Sequence, residues 1–445
     1  MTFTWDILKK GINPIIDGAV QEIFTKLYSD NLFLMVPVVQ KETLRSIVEA
    51  ALRAERGTEL TRPLGSPNYL SSWNKILLNP RQLFQIPPED YTKIETKTVI
   101  GPRAKKPLEL DIPIMISAMS NGGSLSEQMK IALAKGASLA GTATNTGEST
   151  LVYSEREAAK YLIGQYNRGG WLSKPEQLKR VNAIEVQLGQ GAWGGATDDV
   201  QPASEVTDYQ KRIWNVPDGK DAVIHSRMPG INSTQDIIDL INKLKSEYDV
   251  PVGIKIAATH FIEKELEIIA QTDADFITID GSEGGTSSSY PTLQDSVGFP
   301  TLLGLARAVN WLEDNNLKSK YNLIITGGLK EPGDFLRALA LGADAVYIAT
   351  IAIMASLQTQ VVKAVPESVP VQLSLAQGKL IDKLDIDESA NNLANFLKSS
   401  VIEMQHATQA VGKTSFRNLN KEDLVTVDKE LAAILRIAYA GNPCI

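Results

Sequence analysis

The stretch "DFITIDGSEGGTSSS", residues 275–289, changes character halfway. Phe276-Ile277-Thr278-Ile279 is a short apolar run, of the kind that forms a strand covered on both faces. The ten residues from Asp280 then hold three glycines and five hydroxyl side chains, with almost no bulk. A surface turn needs one or two glycines. Bare backbone beside aligned hydroxyls predicts that something large and polar lies against this turn.

The same alternation runs through the middle of the chain. Short apolar, β-branched runs recur at 112–117 (IPIMIS), 139–143 (LAGTA), 183–188 (AIEVQL), 222–225 (AVIH), 250–256 (VPVGIKI), 275–280 (DFITID), 322–326 (NLIIT) and 344–350 (DAVYIAT), with helical patterns between them. Such strands, separated by helices, predict a parallel sheet covered by helices. Eight of them over 112–350 fit the ~250 residues of a (β/α)8 TIM barrel. The rival is an open doubly wound sheet, which usually carries a GxGxxG turn after its first strand. Here that turn reads "SAMSNGGSLS" (117–126), without that spacing.

The expected organisation is a helical and irregular wrapping segment over 1–110, the barrel over 111–360, and a helical C-terminal appendage over 361–445. In 41–57, Leu44, Ile47, Val48, Ala51 and Leu52 share one helical face and Gly57 closes it. Ser233 caps a helix with Asp236 three residues on. Gly342 ends the helix over 331–341. Helices are also expected over 387–412 and 421–441. Two connections, 144–182 and 189–222, exceed plain barrel loops and are expected to line or cover the pocket.

Bulk composition excludes several functions. The 445 residues are 43% hydrophobic and 22% charged, with a net charge of −7, which argues against nucleic acid as a partner. One cysteine, Cys444, supports no internal disulfide and no iron–sulfur cluster, and reads as a tail thiol. A reducing cytoplasm is the expected compartment. The apolar stretch 31–39 is far shorter than the ~20 residues of a membrane span, which leaves surface contact with a membrane open. No His, Cys, Asp and Glu cluster has metal-ligand spacing, so no catalytic metal is expected.

In a barrel, residues just past each strand share one pocket. They include Ala118, Met119 and Ser120; Asn145 and Glu148; Gln187 and Gln190; His225 and Arg227; Gly284, Gly285 and Thr286; Gly327 and Gly328; and Ala349 and Thr350. The glycine turns after the last strands suit a phosphate, or else are ordinary strand-to-helix turns. Lys255, inside the apolar strand "VGIKIAA", either stabilises negative charge on a reduced flavin, pairs with a carboxylate or points to solvent. Glu148 either orients or protonates a substrate, or favours a helix dipole. His225 could bond a ring or a carboxylate, or be a satisfied core histidine. His260 and His406 read as structural.

These segments, "SAMSNGGSLS", "TNTGES" (144–149), "QGAWGG" (190–195), "DGSEGGTSSS" (280–289) and "TGGLKEPGDFLRALALGADAVYIAT" (326–350), resemble the FMN-binding synthase domain of the glutamate synthase family. The flanks look like its short, stand-alone branch. The resemblance covers roughly 100–360 and implies a barrel holding FMN. It would place Ala118, Met119 and Ser120 at the isoalloxazine ring, with Asn145 and Gln187 beside the cofactor and Lys255 at its pyrimidine edge. Gly284, Gly285, Thr286, Gly327, Gly328, Ala349 and Thr350 would surround ribityl and phosphate. Glu148 and Gln190 would face the substrate, with Lys255, as the catalytic set.

The departures from the family are specific. The cysteines expected after the last strand are absent, so electrons would arrive from a separate donor protein. The chain starts Met-Thr-Phe, with no N-terminal cysteine and no glutaminase domain, so ammonia would not come from glutamine. Trp193 and Gln187 stand where the family carries lysines, which weakens the case for a dianionic oxo acid. An aromatic side chain at 193 would suit an apolar or planar substrate.

The expected function is an FMN-dependent oxidoreductase passing hydride between flavin N5 and the C=N or C=O carbon of a small amino- or oxo-acid-like substrate. One alternative is an oxidase or dehydrogenase of another small acid, using His225 as base. Another is a non-catalytic flavin-binding subunit. A homo-oligomer is left open.

Overall fold

The computed structural model describes residues 2–27, 30–31, 33, 35–287 and 289–443. Ser288 and Cys444, with Leu32 and Leu34 of the apolar stretch, lie outside the described residues. Two compact units divide between Leu60 and Thr61. The first contains helices Thr2–Thr25, Met35–Glu42 and Leu44–Arg56. Thr43 caps the third by accepting from the Ser46 amide, and Gly57 at φ 63° ends it. Leu44 and Val48 on that helix are exposed.

The second unit is built on eight parallel strands: β1 (Ile114–Ile116), β2 (Ala143–Asn145), β3 (Tyr161–Tyr166), β4 (Ala183–Gln187), β5 (Val252–Ala257), β6 (Phe276–Asp280), β7 (Asn322–Thr326) and β8 (Ala345–Ile348). Ladders join β2 through β8 in sequence order and β8 back to β1. The remaining seam, β1 to β2, is closed by one parallel bridge between Ala118 and Asn145. This is the expected TIM barrel.

Period-2 alternation sorts the strand residues. Ile114, Ile116, Ile184, Val186, Ile277 and Ile279 belong to the core between strands and helices. Met115, Ala143, Ile163, Ala183, Phe276 and Ile324 belong to a second cluster, inside the barrel. That cluster includes Ile100, Leu108 and Leu110 from an antiparallel ribbon, Thr98–Ile100 with Leu108–Leu110. The ribbon lies at the strands' N-terminal ends, where the Gly101 amide donates to Asn322 Oδ1 at 2.8 Å. Higher in the barrel the interior turns polar, with Asn145, Gln165, Glu185, Gln187, Lys255 and Thr278 all buried.

Three sequence expectations are corrected. Residues Ala222–Ile224 do form a strand, but it pairs antiparallel with Asp199–Gln201 in a separate ribbon. The missing stave is β3, within the connection expected over 144–182. Its Gln165 turns inward to a polar barrel interior, which breaks the continuous apolar signature. Residues 139–143 are not a strand. Leu139 ends helix Glu127–Leu139, and β2 starts only at Ala143. The single helix expected over 421–441 is replaced by strand Leu424–Thr426 and helix Lys429–Leu435. Asp428 restarts the helix by accepting from the Glu430 and Leu431 amides. The strand pairs antiparallel with Ile76–Leu78.

Other local readings agree with the sequence. Ser233 and Asp236 form a reciprocal capping box, and Gly342 sits at φ 114° after helix Pro332–Ala340. Helix Ile386–Ala410 packs on helix Glu127–Leu139 so closely that a Cβ at Gly136 would come 2.9 Å from the Ala390 carbonyl oxygen. Among the described residues, no helix is long and apolar enough to cross a membrane.

Candidate active site at the barrel mouth

The turn after β2 sets the site. The Gly147 amide donates to Asn145 Oδ1 at 2.9 Å. At φ 66° Gly147 lies against the loop after β1, where a Cβ would stand 2.5 Å from Met119 C and Ser120 N. This turn delivers Glu148. Its Oε1 accepts from Gln187 Nε2 at 2.9 Å and its Oε2 from Gln190 Nε2 at 3.0 Å. Three residues chosen from sequence are thus brought together.

A fourth member was missed. Arg168, buried just past β3, approaches Glu148 Oε1 with Nη2 at 3.4 Å. Its Nη1 donates to the carbonyls of His225 at 2.9 Å and Thr197 at 3.1 Å. The guanidinium therefore ties the 199–224 ribbon to the barrel and places a cation beside Glu148. Reading β3 correctly would have exposed it. His225 contributes only its backbone oxygen and is itself exposed. Arg227 is exposed too. The ribbon also carries Asp199, whose carboxyl is pushed up to about 7 by burial and by the charge of Glu148, with Arg168 opposing.

Lys255 is 1% exposed, and its Nζ lies 2.8 Å from Asp280 Oδ2. Burial pulls the ammonium down, but Asp280, Glu185 and Glu148 outweigh it and hold it above its ordinary value. The carboxylate-pairing alternative is therefore realised, with the pair inside the barrel. Beneath it, Glu185 accepts from Asn145 Nδ2 and Gln165 Nε2, each at 2.9 Å, and from Thr278 Oγ1 at 2.8 Å. Tyr347 beside it is held far above the ordinary phenol value by burial and by Glu185. Apolar neighbours hide Glu185 in the sequence.

The turns after β6, β7 and β8 converge. A Cβ at Gly285 would strike Thr350 Oγ1, and one at Gly328 would lie 2.9 Å from Glu283 Cβ. Gly327 and Gly328 adopt φ 123° and 73°. Gly285 and Gly328 are exposed and Thr350 is half-buried. Ala349 begins helix Thr350–Leu357 without a side-chain cap. Among the described residues, the amides of Gly327, Gly328 and Thr350 find no backbone or side-chain acceptor.

Only the first part of the 280–289 stretch belongs to this convergence. Thr286 O accepts from the Leu64 amide at 2.7 Å and Ser289 O from the Arg62 amide at 2.9 Å. Glu283 accepts from the Leu70 amide at 3.0 Å, Ser71 Oγ at 2.7 Å and the Thr301 amide at 2.9 Å. Part of the polarity expected to meet a ligand thus anchors the chain's own segment 62–71.

On the other flank, Ser120 Oγ accepts from the Ser124 amide at 2.9 Å. Trp193 is 5% exposed and meets the Tyr290 ring edge-on at 6.0 Å. It is packed into the protein rather than presented as an open stacking face. Among the described residues, no group of three His, Cys, Asp or Glu is placed to hold a metal.

Comparison with known proteins follows the same lines. A family described as the conserved region in glutamate synthase matches residues 69–414. The glutamate synthase large subunit-like protein of Rhizobium meliloti is 31% identical over 418 residues, covering 89% of this chain and 94% of its own. The archaeal glutamate synthase [NADPH] of Methanocaldococcus jannaschii is 32% identical over 393 residues, covering 85% and 75%. Among solved structures, a mutant flavocytochrome b2 with benzoylformate superposes with a TM-score of 0.51 at 15% identity, covering 86% and 83%. A mutant of the active chimera of (S)-mandelate dehydrogenase gives 0.52 at 13%, covering 82% and 92%. At such identities these two report the fold.

Proposed function

The chain belongs to the glutamate synthase family and is an oxidoreductase, and on that premise we propose that it uses FMN to move hydride to or from the C=N or C=O carbon of a small amino- or oxo-acid-like substrate. The observation that carries this reading is the convergence of three bare turns, with unpartnered amides, beside a buried ammonium. The residues present fit the cofactor. The amides of Gly327, Gly328 and Thr350 would receive a phosphate dianion, as backbone donors at a helix start do. Gly284, Gly285, Thr286 and Ala349 would border the chain leading to it. Ala118, Met119, Ser120 and Asn145 would carry the ring at the barrel seam.

When bound, FMN supplies a two-electron hydride donor or acceptor at N5. Lys255, held charged by Asp280 and Glu185, would stabilise negative charge at the ring's pyrimidine edge. Glu148 has both oxygens engaged by N–H donors, so its part is to accept and to fix. It holds the Gln187 and Gln190 carboxamides in place at the substrate side. Asp199, pushed up to about 7, is a carboxyl beside Glu148 able to hold a proton near neutrality. The reductant would come from a separate donor, a protein or a reduced nicotinamide, since one cysteine cannot hold a cluster in this sequence. The oxidase alternative would need His225 as its base, and that exposed side chain makes no hydrogen bond to Glu148, Gln187 or Gln190.

Mass spectrometry of ligands released from the purified protein tests the cofactor, with FMN expected. Anaerobic reoxidation of the photoreduced protein by a panel of imines and oxo acids then tests the reaction. A protein that develops no band near ~450 nm after reconstitution with FMN overturns the proposal. Full flavin loading with no acceptor turning over favours the flavin-holding subunit.

A further inference from the structure

An open pocket of about 520 Å³ lies at the end of the barrel opposite the candidate site. Leu108 of the closing ribbon, Tyr161 at the start of β3, Val181 and Asn182 before β4, and Val250 before β5 form its wall. Four basic side chains, Lys106, Arg156, Lys179 and Arg180, also line it, and no acidic one does. In a chain of net charge −7, that is a local reversal of sign.

The cations are poorly compensated. Arg156 is half-buried, and burial lowers its pKa. Its Nη1 donates to Asn182 Oδ1 at 2.8 Å, and its Nη2 to the carbonyls of Ala159 and Lys160. All of these acceptors are neutral. The preceding residue, Glu155, pairs with Lys130 at 2.9 Å, and its charge only partly offsets the effect of burial on Arg156. Among the described residues, neither Lys179 nor Arg180 has an ion pair, and Arg180 rests over the Tyr153 ring at 4.7 Å. Lys106 reaches only Asp249, at 3.7 Å, which Lys105 holds at 3.1 Å.

We propose that this cavity binds a small polyanion bearing at least two phosphate-type charges, at a site separate from the barrel mouth. Its volume falls in the range of small-molecule pockets, roughly 300–1,000 Å³. The Arg180 guanidinium offers forked donors suited to phosphoryl oxygens, Arg156 adds its charge while its Nη groups stay with protein oxygens, and two ammonium groups add mobile charge. The apolar wall of Leu108, Val181 and Val250 gives the body of the ligand something to rest on.

The test is calorimetric titration of inorganic pyrophosphate into the FMN-saturated full chain, at low and moderate salt. The expected result is saturable 1:1 binding that weakens as salt rises. The double variant K179E/R180E should weaken it at least tenfold, and K106E alone several-fold. These three side chains are exposed, so the variants should keep the wild-type melting temperature and visible spectrum. No saturable binding at millimolar pyrophosphate overturns the proposal. So does unchanged affinity in the double variant, since the anion would then sit elsewhere, including the FMN phosphate seat.

Discussion

Lys130 Nζ stands 2.9 Å from Glu155 Oε1, with neither side chain more than 1% exposed. From the same position it donates to the carbonyl oxygens of Met119 and Asn145, each at 2.7 Å. Those carbonyls flank the β1–β2 seam, where the barrel has a single bridge instead of a ladder. A charge-assisted clamp thus replaces missing strand pairing at the edge of the candidate cofactor site.

Removing Lys130 leaves two carbonyl oxygens without their donor and a buried Glu155, whose carboxyl burial already pushes up, without its cation. Lys130→Met should therefore cost roughly 3–5 kcal/mol of unfolding free energy, read by urea denaturation. K130M/E155L should recover part of that loss. A single variant that unfolds at the wild-type midpoint would show that the clamp contributes nothing.

Asp199 makes a signed pH prediction. Its ordinary value is 3.8 and its folded value about 7, raised by burial and then by Glu148. The fold therefore favours the neutral form. The stability this contributes is complete below the ordinary value and fades as pH rises through about 7. Asp199→Asn cannot ionise, so as pH rises from 3.8 to about 7 its melting temperature should fall less than that of wild type. Parallel curves would mean that Asp199 carries no proton in that window.

Lys255 and Asp280 should move the cofactor in opposite directions. Lys255→Gln withdraws the cation that would stabilise reduced flavin, so the two-electron midpoint potential should fall by roughly 30–60 mV, about 1.4–2.8 kcal/mol. Asp280→Asn removes the opposing charge and should raise it. Spectroelectrochemistry of the two reconstituted variants decides. Shifts of the same sign would place the pair away from the ring.

Gly147→Ala asks for a left-handed conformation and drives a methyl into the Met119–Ser120 backbone, 2.5 Å away. The barrel should survive, as seen by far-ultraviolet circular dichroism, while the turn shifts and flavin occupancy falls severalfold. Full occupancy, judged by the ratio of visible to protein absorbance, would remove Gly147 from the determinants of the mouth.

The outer faces of the strands were legible because Ile184, Val186, Ile277 and Ile279 pack against helices and must be apolar. The inner faces were not. β3 alternates Ile163 with Gln165 toward a hydrogen-bonded interior, so it reads as a loop, while Ala222–Ile224 reads as a stave although it lies in a ribbon. Losing β3 also hid Arg168, two residues beyond its end. Glu148, Gln187 and Gln190 were legible because glycine turns mark strand ends. Lys130, Glu185 and Asp199 gave no signal, because their roles depend on partners distant in the chain.

Strand Leu424–Thr426 lies beside Ile76–Leu78, so a piece synthesised before every barrel stave waits for one synthesised after all of them. During translation 76–78 has no ladder partner while the staves between are made and assembled. A nascent or truncated product without the later strand would present an open edge to its neighbours, and would be expected to recruit chaperones or form aggregates.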